Sequence, residues 1–388
     1  MRRITENAAN NAYIRRMRSA STYIHQLTDW PRFHWDRERI APVLARSRES
    51  QIRLLGKMEG MGFSLQKEAT LQTLTQDVVK SSEIEGEVLD PDQVRSSIAR
   101  RLGMDIAGLV PADRSVEGVV EMMIDATQRF SEPLTEERLF GWQAALFPTG
   151  RSGIQKIIVG DWRKNTVNDP MQVISGMMGR EKVHFQAPDS ALVPDEMFAF
   201  LKWFNDEMVE DSLLKAAIAH LWFVTIHPFE DGNGRIARAI SDLQLARADN
   251  SAQRFYSMSA QIRKEKNRYY DRLEETQKGK LDITGWLEWF LECIDRSIHA
   301  TSETLASVLQ KAAFWKTHAG KKFNDRQLLM LGKMLDGYPG KINSSNWGKL
   351  TGVSADTAVR DINELVEKEI LIKGPAGGRS TSYRLIEV

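Results

Sequence analysis

A chain of 388 residues is long enough for two or three domains, and 42% hydrophobic with 27% charged residues is an ordinary soluble globular mix. The formal net charge of +1 excludes a global field toward nucleic acid or membrane, so any such affinity must be local. The single cysteine, Cys293, excludes an intrachain disulfide and fits a reducing compartment; within the apolar stretch WLEWFLEC it reads as a buried small hydrophobe rather than a nucleophile.

The start, MRRITENAANN, is basic but lacks the apolar core of a signal peptide, and no apolar run approaches the roughly 18 residues of a membrane span. The expectation is a cytoplasmic protein without a membrane partner. Residues 1–20 are polar and weakly patterned, as in a flexible arm. YIHQLTDWPRFHWD (23–36) is dense in aromatics around Trp30-Pro31 and reads as an extended arm packed on a helical body. Apolar residues at three- and four-residue spacing predict helices over about 40–61 and 65–84, and the helical pattern holds from Pro91 to Arg129. Over 154–184 it gives way to β-branched residues, glycines and an Asn-Asp-Pro turn, which predict an irregular loop carrying a short hairpin. PDEMFAFLKWFNDEM returns to helix with Pro194 near its start, and LLKAAIAHLWFVTI (213–226) is a long apolar helix. Helical patterns continue through KNRYYDRLEE and ITGWLEWFLECI to about Gln310. From Phe323 the pattern is helix, then SSNWGKL, TGV and SADTAVRDINELVEKE as helix, turn and helix, with Ser344 and Ser354 as N-caps. ILIKGPAGGRSTSYRLI follows as two strands around a Gly-rich tip, completing a winged helix-turn-helix pattern. The fold class is mainly α.

The chemistry concentrates in HPFEDGNGRIAR (227–238). Gly232 and Gly234 let the backbone take positive φ and approach a ligand, and the helical run that follows offers N–H groups to an anion. Arg235 and Arg238 share a helix face and lean toward that N-terminus, where guanidinium groups take phosphate oxygens in pairs. A polyphosphate is the natural guest. Asp231 at the mouth could hold Mg²⁺, which needs only one or two protein carboxylates beside substrate phosphates. His227 has the intrinsic pKa of a general base at neutral pH. A calcium loop fails at Arg235 and Ile236, and the Walker A spacing is absent. A bare Asn-Gly turn accounts for one glycine but not for two arginines and a histidine. His220, seven residues before His227, reads as a packed or capping residue, since no HExxH motif or cysteine cluster accompanies it.

The stretch resembles, at every signature position, the H-x-F-x-[DE]-G-N-G-R-x-x-R motif of Fic-domain proteins: His227, Phe229, Asp231, Gly232, Asn233, Gly234, Arg235 and Arg238. YIHQLTDWPRFHWD, GDWRKNTVNDPMQVISG, WLEWFLEC and the C-terminal pattern are similar to bacterial members with an N-terminal helical domain. The resemblance implies transfer of AMP from ATP to a Tyr, Thr or Ser hydroxyl of a protein target, or of the protein itself. It implies that His227 takes the hydroxyl proton, Asp231 holds Mg²⁺, and Asn233 with the backbone of Gly232 and Gly234 positions phosphates. Arg235 would support the β-phosphate and Arg238 the γ-phosphate, while Phe229 faces the core. Met171, Gln172, Val173 and Ile174 would form a flap that docks the target by strand addition, against the plainer reading of a linking hairpin. Tyr269 and Tyr270 wall the adenine pocket or simply pack in the core.

SSEIEG (81–86) alone is a helix C-terminus with Gly86 as its stop. Ahead of a Fic core it resembles the family's inhibitory helix, which implies an ion pair of Glu85 with Arg238, braced by Ser81. Whether Glu85 only brakes transfer or also activates water to remove AMP stays open, as do the donor base (UTP is an alternative) and a homodimer. The domain expectation is an arm over 1–20, a helical domain over 21–100, a Fic core over 101–312 and a winged helix over 313–388. The last carries 11 Lys and Arg from 321 on against 8 acids, with Val359, Ile362 and Val366 on the apolar face of an acidic second helix. Lys373, Arg379 and Arg384 near the wing could meet phosphates, so DNA is one partner and protein contact another. A nucleotide-sensing DNA-binding regulator is the competing function, disfavoured by an intact His227.

Overall fold

The computed structural model describes residues 23–60, 62–106, 108–165, 169–175, 182–206, 211–374 and 381–386, and of 302–304 and 306–309 the backbone alone. The arm expected over 1–20 lies outside them. The protein is mainly helical, with three two-stranded antiparallel sheets among the described residues.

The aromatic segment at 23–36 packs on the helical body, but it is turned rather than extended. A 3-10 turn (Ile24–Gln26) opens it, and Trp30 and Phe33 then meet the Trp222 ring edge-on at 6.3 and 6.0 Å. Trp30 Nε1 donates to Glu196 Oε2 at 2.9 Å. Inward-facing indoles bend the segment where a strand would have alternated its side chains.

Helix α1 (Arg37–Glu59) starts where Asp36 accepts from the Arg39 amide at 3.0 Å. Helix α2 (Phe63–Ile84) follows. The unbroken pattern over 91–129 is two helices, α3 (Pro91–Arg101) and α4 (Arg114–Gln128), because Gly103 takes φ +62° and Pro111 cannot continue a helix. Helix α5 (Glu136–Leu146) leads to two hairpins, β1 (Arg151–Ser152) with β2 (Gln155–Lys156), and β3 (Gln172–Ser175) with β4 (Lys182–Gln186). Helices α6 (Val193–Asn205), α7 (Ser212–Ile226), α8 (Asn233–Asp249), α9 (Met258–Lys264), α10 (Lys266–Gln277) and the 34-residue α11 (Thr284–Thr317) complete the main core.

Helix α7 is apolar on all sides and is accordingly buried on all sides, against α6, α8 and α11. Its two polar interruptions are satisfied. Lys215 donates to the Asp206 carbonyl and lies 5.5 Å from the Trp203 ring. His220 sits between Ser241 Oγ at 3.0 Å and the Tyr269 hydroxyl at 2.9 Å, the packed residue expected. Cys293 is fully buried.

Beyond α11, helices α12 (Asp325–Leu335), α13 (Ser344–Thr351) and α14 (Ala355–Glu367) and the hairpin β5 (Leu371–Lys373) with β6 (Tyr383–Leu385) close around a second core. Phe314, Met330, Trp347, Ile362 and Leu365 fill it. Two expectations change here. Asn343, not Ser344, caps α13, its Oδ1 accepting from the Asn346 amide at 2.8 Å, while Ser354 caps α14 as foreseen. The buried face of α14 is Ala358, Ile362 and Leu365, and Val359 is 41% exposed, because the helix is rotated by one residue relative to the predicted face. Arg379 at the tip lies outside the described residues. Lys311 joins the two cores, reaching Glu68 of α2 at 3.5 Å and the Asp336 carboxylate; Lys333 reaches Asp92.

Candidate active site

The site begins where α7 stops. His227 takes φ 52° and ψ 57°, a left-handed residue that swings the chain out of the helix while its amide still donates to Phe223 O at 2.9 Å. The strain is held from below by Arg163, 1% exposed, whose Nε donates to His227 O at 2.7 Å and whose Nη2 donates to Pro188 O at 2.5 Å. Burial lowers the Arg163 pKa to about 10. The imidazole Nδ1 faces Val224 O at 3.3 Å. A carbonyl only accepts, so Nδ1 carries the proton and Nε2 is left with its lone pair. Desolvation brings the His227 pKa down to about 4, keeping the ring neutral at pH 7.

Phe229 is fully buried, 5.1 Å from the Trp162 ring. Asn233 locks the loop: its Oδ1 accepts from the Phe229 amide at 3.0 Å and its Nδ2 donates to Phe229 O at 2.8 Å. The side chain expected to position phosphates is thus spent on the loop, and only the Asn233 backbone is available to a ligand. Asp231 stands at the mouth; its Oδ1 accepts from the Gly232 amide at 2.6 Å, and its Oδ2 accepts from the Ser152 hydroxyl. Gly232 takes φ +89° beside Phe147, where a Cβ would come 2.9 Å from Cε2. A Cβ on Gly234 would lie 2.3 Å from Glu85 Oε1.

The two arginines of the first turns of α8 are both occupied. Arg238, 2% exposed, donates from Nε to Ser81 Oγ at 2.9 Å, and from Nη2 to Ser81 O at 2.9 Å and Glu85 Oε1 at 2.8 Å. Burial opposes its charge, but Glu85 together with Tyr269 and Tyr270 raises the pKa. Ser81 and Glu85, at the end of α2, thus both meet Arg238, and Gly86 follows with φ +87°. Arg235 donates from Nη1 to Glu87 Oε2 at 2.7 Å and lies 5.2 Å from the Phe147 ring. Behind them α2 is pinned by Asp77, which accepts from Ser257 Oγ at 2.6 Å and from the Ser259 amide at 3.1 Å. Burial holds the nearby Asp242 carboxyl, beside Arg254, well above the usual range.

Beside His227 a cavity of about 410 Å³ opens between α10 and the β3–β4 hairpin. Tyr269, Tyr270, Leu273 and Gln277 form one wall, Val173, Ile174 and Phe185 the other, with Glu85 and Gly234 at the end. Tyr269 lines the cavity and is also buried in the aromatic core. Tyr270 is 39% exposed. Strand β3 pairs with β4 with a register shift between Val173 and Ile174, and Met171 O accepts from the Ala187 amide at 3.0 Å. The far edge of β3 meets no strand among the described residues. His184 ties the hairpin to α10, Nδ1 to Glu274 Oε2 at 2.5 Å and Nε2 to Ser175 Oγ at 2.6 Å. Burial works against the Glu274 charge, but His184 and Lys278 prevail and bring its pKa down to about 2. Arg163, Ser152, Glu87 and His184 were missed by the sequence reading.

Among the described residues no group of three or more His, Cys, Asp or Glu side chains is arranged to hold a metal by itself. The lone Asp231 carboxylate at the mouth suits an ion that arrives with phosphates.

Residues 133–245 match the Fic/DOC family, and residues 23–104 match a domain of unknown function, DUF4172. The chain is 33% identical over 113 residues to a protein adenylyltransferase Fic of Culex quinquefasciatus, covering 28% of this chain and 21% of that one. It is 26% identical over 245 residues to a protein adenylyltransferase Fic of Drosophila yakuba, covering 60% and 42%. It thus spans less than half the length of these curated relatives. A Fic family protein from Desulfovibrio desulfuricans G20, solved as a crystal structure, shares the fold over 91% of this chain and 97% of that one, with TM-score 0.51 and 21% identity. No helix of the described residues is long and apolar enough to cross a membrane. The signature loop between α7 and α8 falls inside the matched segment, and residues 133–245 form a Fic domain.

Proposed function

We propose that the protein transfers AMP from ATP to a hydroxyl of a protein target, or of itself, and that Glu85 holds it in check. The observation that carries this reading is convergence: His227, Gly234 and Glu85 line one cavity, Glu85 meets Arg238, and Glu87, two residues on, meets Arg235. The target oxygen attacks the α-phosphorus while its proton passes to His227 Nε2. The bond from the α-phosphorus to the bridging oxygen breaks, and pyrophosphate leaves. Arg235 and Arg238 neutralise the outer phosphates, and the Gly232 and Gly234 backbone leaves room for them. Asp231 would hold Mg²⁺, which when bound spreads phosphate charge. The open edge of β3 offers backbone groups to an extended target segment, with Met171, Gln172, Val173 and Ile174 beside it. The domains are read as 21–100, 101–312 and a winged helix over 313–388.

The brake follows from single occupancy: Arg238 cannot serve Glu85 and a γ-phosphate together. Labelling with α-³²P-ATP and Mg²⁺, with and without cell lysate, tests the reading. Glu85→Gly is expected to raise incorporation at least about tenfold, since a buried charged pair is being released, and Glu85→Gly/His227→Ala to abolish it. Equal labelling by wild type and Glu85→Gly would remove the brake, and label surviving His227→Ala would remove the base.

A further inference from the structure

We infer that the turn Glu85-Gly86-Glu87 is an internal stand-in for two phosphates, in which Glu87 is a positioning residue that competes for Arg235 and weakens the binding of nucleoside diphosphates. This rests on the proposed nucleotide site and extends it from one arginine to two. Gly86 takes φ +87°, and the amides of Glu85 and Glu87 both return to Ser82 O at 3.0 Å, closing the turn on the end of α2. The closure sets two carboxylates, two residues apart, against two guanidinium groups three residues apart on α8. The region where a helix N-terminus favours anions is already filled by the chain's own acids.

The two pairs are unequal on the arginine side. The acids Glu85 and Glu87 are 33% and 40% exposed and each makes one bond to its arginine, but Arg238, 2% exposed, is also held by two hydrogen bonds to Ser81, whereas Arg235, 8% exposed, is bonded to Glu87. The pair whose arginine has no Ser81 to hold it is the looser, and Glu87 yields first. Arg235 is nearly buried, yet its Nε finds no acceptor; Arg238 Nη1 is in the same position. Buried guanidinium donors without acceptors are costly, and an incoming phosphate with several oxygens supplies what one carboxylate oxygen does not. Occupancy is therefore graded: a monophosphate displaces neither acid, a diphosphate must displace Glu87, and a triphosphate must displace both.

The test is isothermal titration of AMP, ADP and ATP into the full chain and its Glu87→Gln and Glu85→Gly variants. Glu87→Gln keeps the shape and removes the charge. It is expected to tighten ADP about two- to fivefold, the scale of a partly exposed ion pair, with AMP changed by less than about twofold. Glu85→Gly is expected to favour ATP over ADP. A purely structural Glu87 would move the melting temperature, not the ratio of ADP to AMP affinity. An unchanged ratio in Glu87→Gln, with nucleotides still bound, overturns the inference and spares the site. Absence of nucleotide binding in every variant overturns both.

Discussion

His220 and His227 lie seven residues apart on one apolar helical run, and burial lowers both, His220 to about 3 and His227 to about 4. An unfolded chain takes these protons near pH 6.5. Below that pH the unfolded state therefore binds more protons, and stability falls as pH drops from about 6.5 toward 4. The buried carboxyls Asp77 and Asp242 are raised and work in the opposite sense, so the slope is best read as a difference. Melting temperature is expected to fall less steeply between pH 6.5 and 4.5 in His220→Asn than in the wild type; parallel curves would refute it. Much of the site was legible at this scale, because Asp231 to Arg238 form a contiguous segment whose chemistry is local. Arg163 and Glu87 were not. Their partners, His227 and Arg235, lie 64 and 148 residues away, and neither lone Arg nor Glu has a periodicity to betray it.

Elements were legible where the local pattern is strong. The α7 run, apolar throughout, announced a central helix, and the Asn-Asp-Pro stretch announced a hairpin. Where aromatic packing overrode local pattern, as in the bent 23–36 segment, spacing misled. The hairpin carries its own prediction. A proline in β3 removes a backbone donor and disturbs the edge proposed for a target. Ile174→Pro is expected to lower labelling of an external target at least tenfold, by about 1.4 kcal/mol or more, while ATP affinity stays within about twofold. Labelling and affinity falling together would mean that the hairpin serves the nucleotide rather than the target.

Across the whole molecule, two cores share the long helix α11 and are further joined by the ion pairs of Lys311 and Lys333. Trp347, fully buried in the smaller core, is a sharp probe. Trp347→Ala is expected to cost the C-terminal unit about 3–5 kcal/mol and to melt it early in calorimetry, with ATP binding by the Fic domain retained. One cooperative transition with loss of ATP binding would show that the cores depend on each other. The sequence suggested that the unit could meet DNA. In the fold Lys368 is held by Glu364 and the Lys322 carbonyl, and Arg326 by Asp361, while Lys373 and Arg384 stand on the paired strands β5 and β6.

The aromatic wall behind the cavity has a practical side. Tyr269 faces the cavity with one side and stands 5.6 Å from the Trp289 ring and 6.4 Å from Trp286 with the other. A guest that presses on Tyr269 shifts the surroundings of two buried indoles. Their emission is therefore expected to change as the cavity fills, over the background of the chain's eight other tryptophans, on the unlabelled protein.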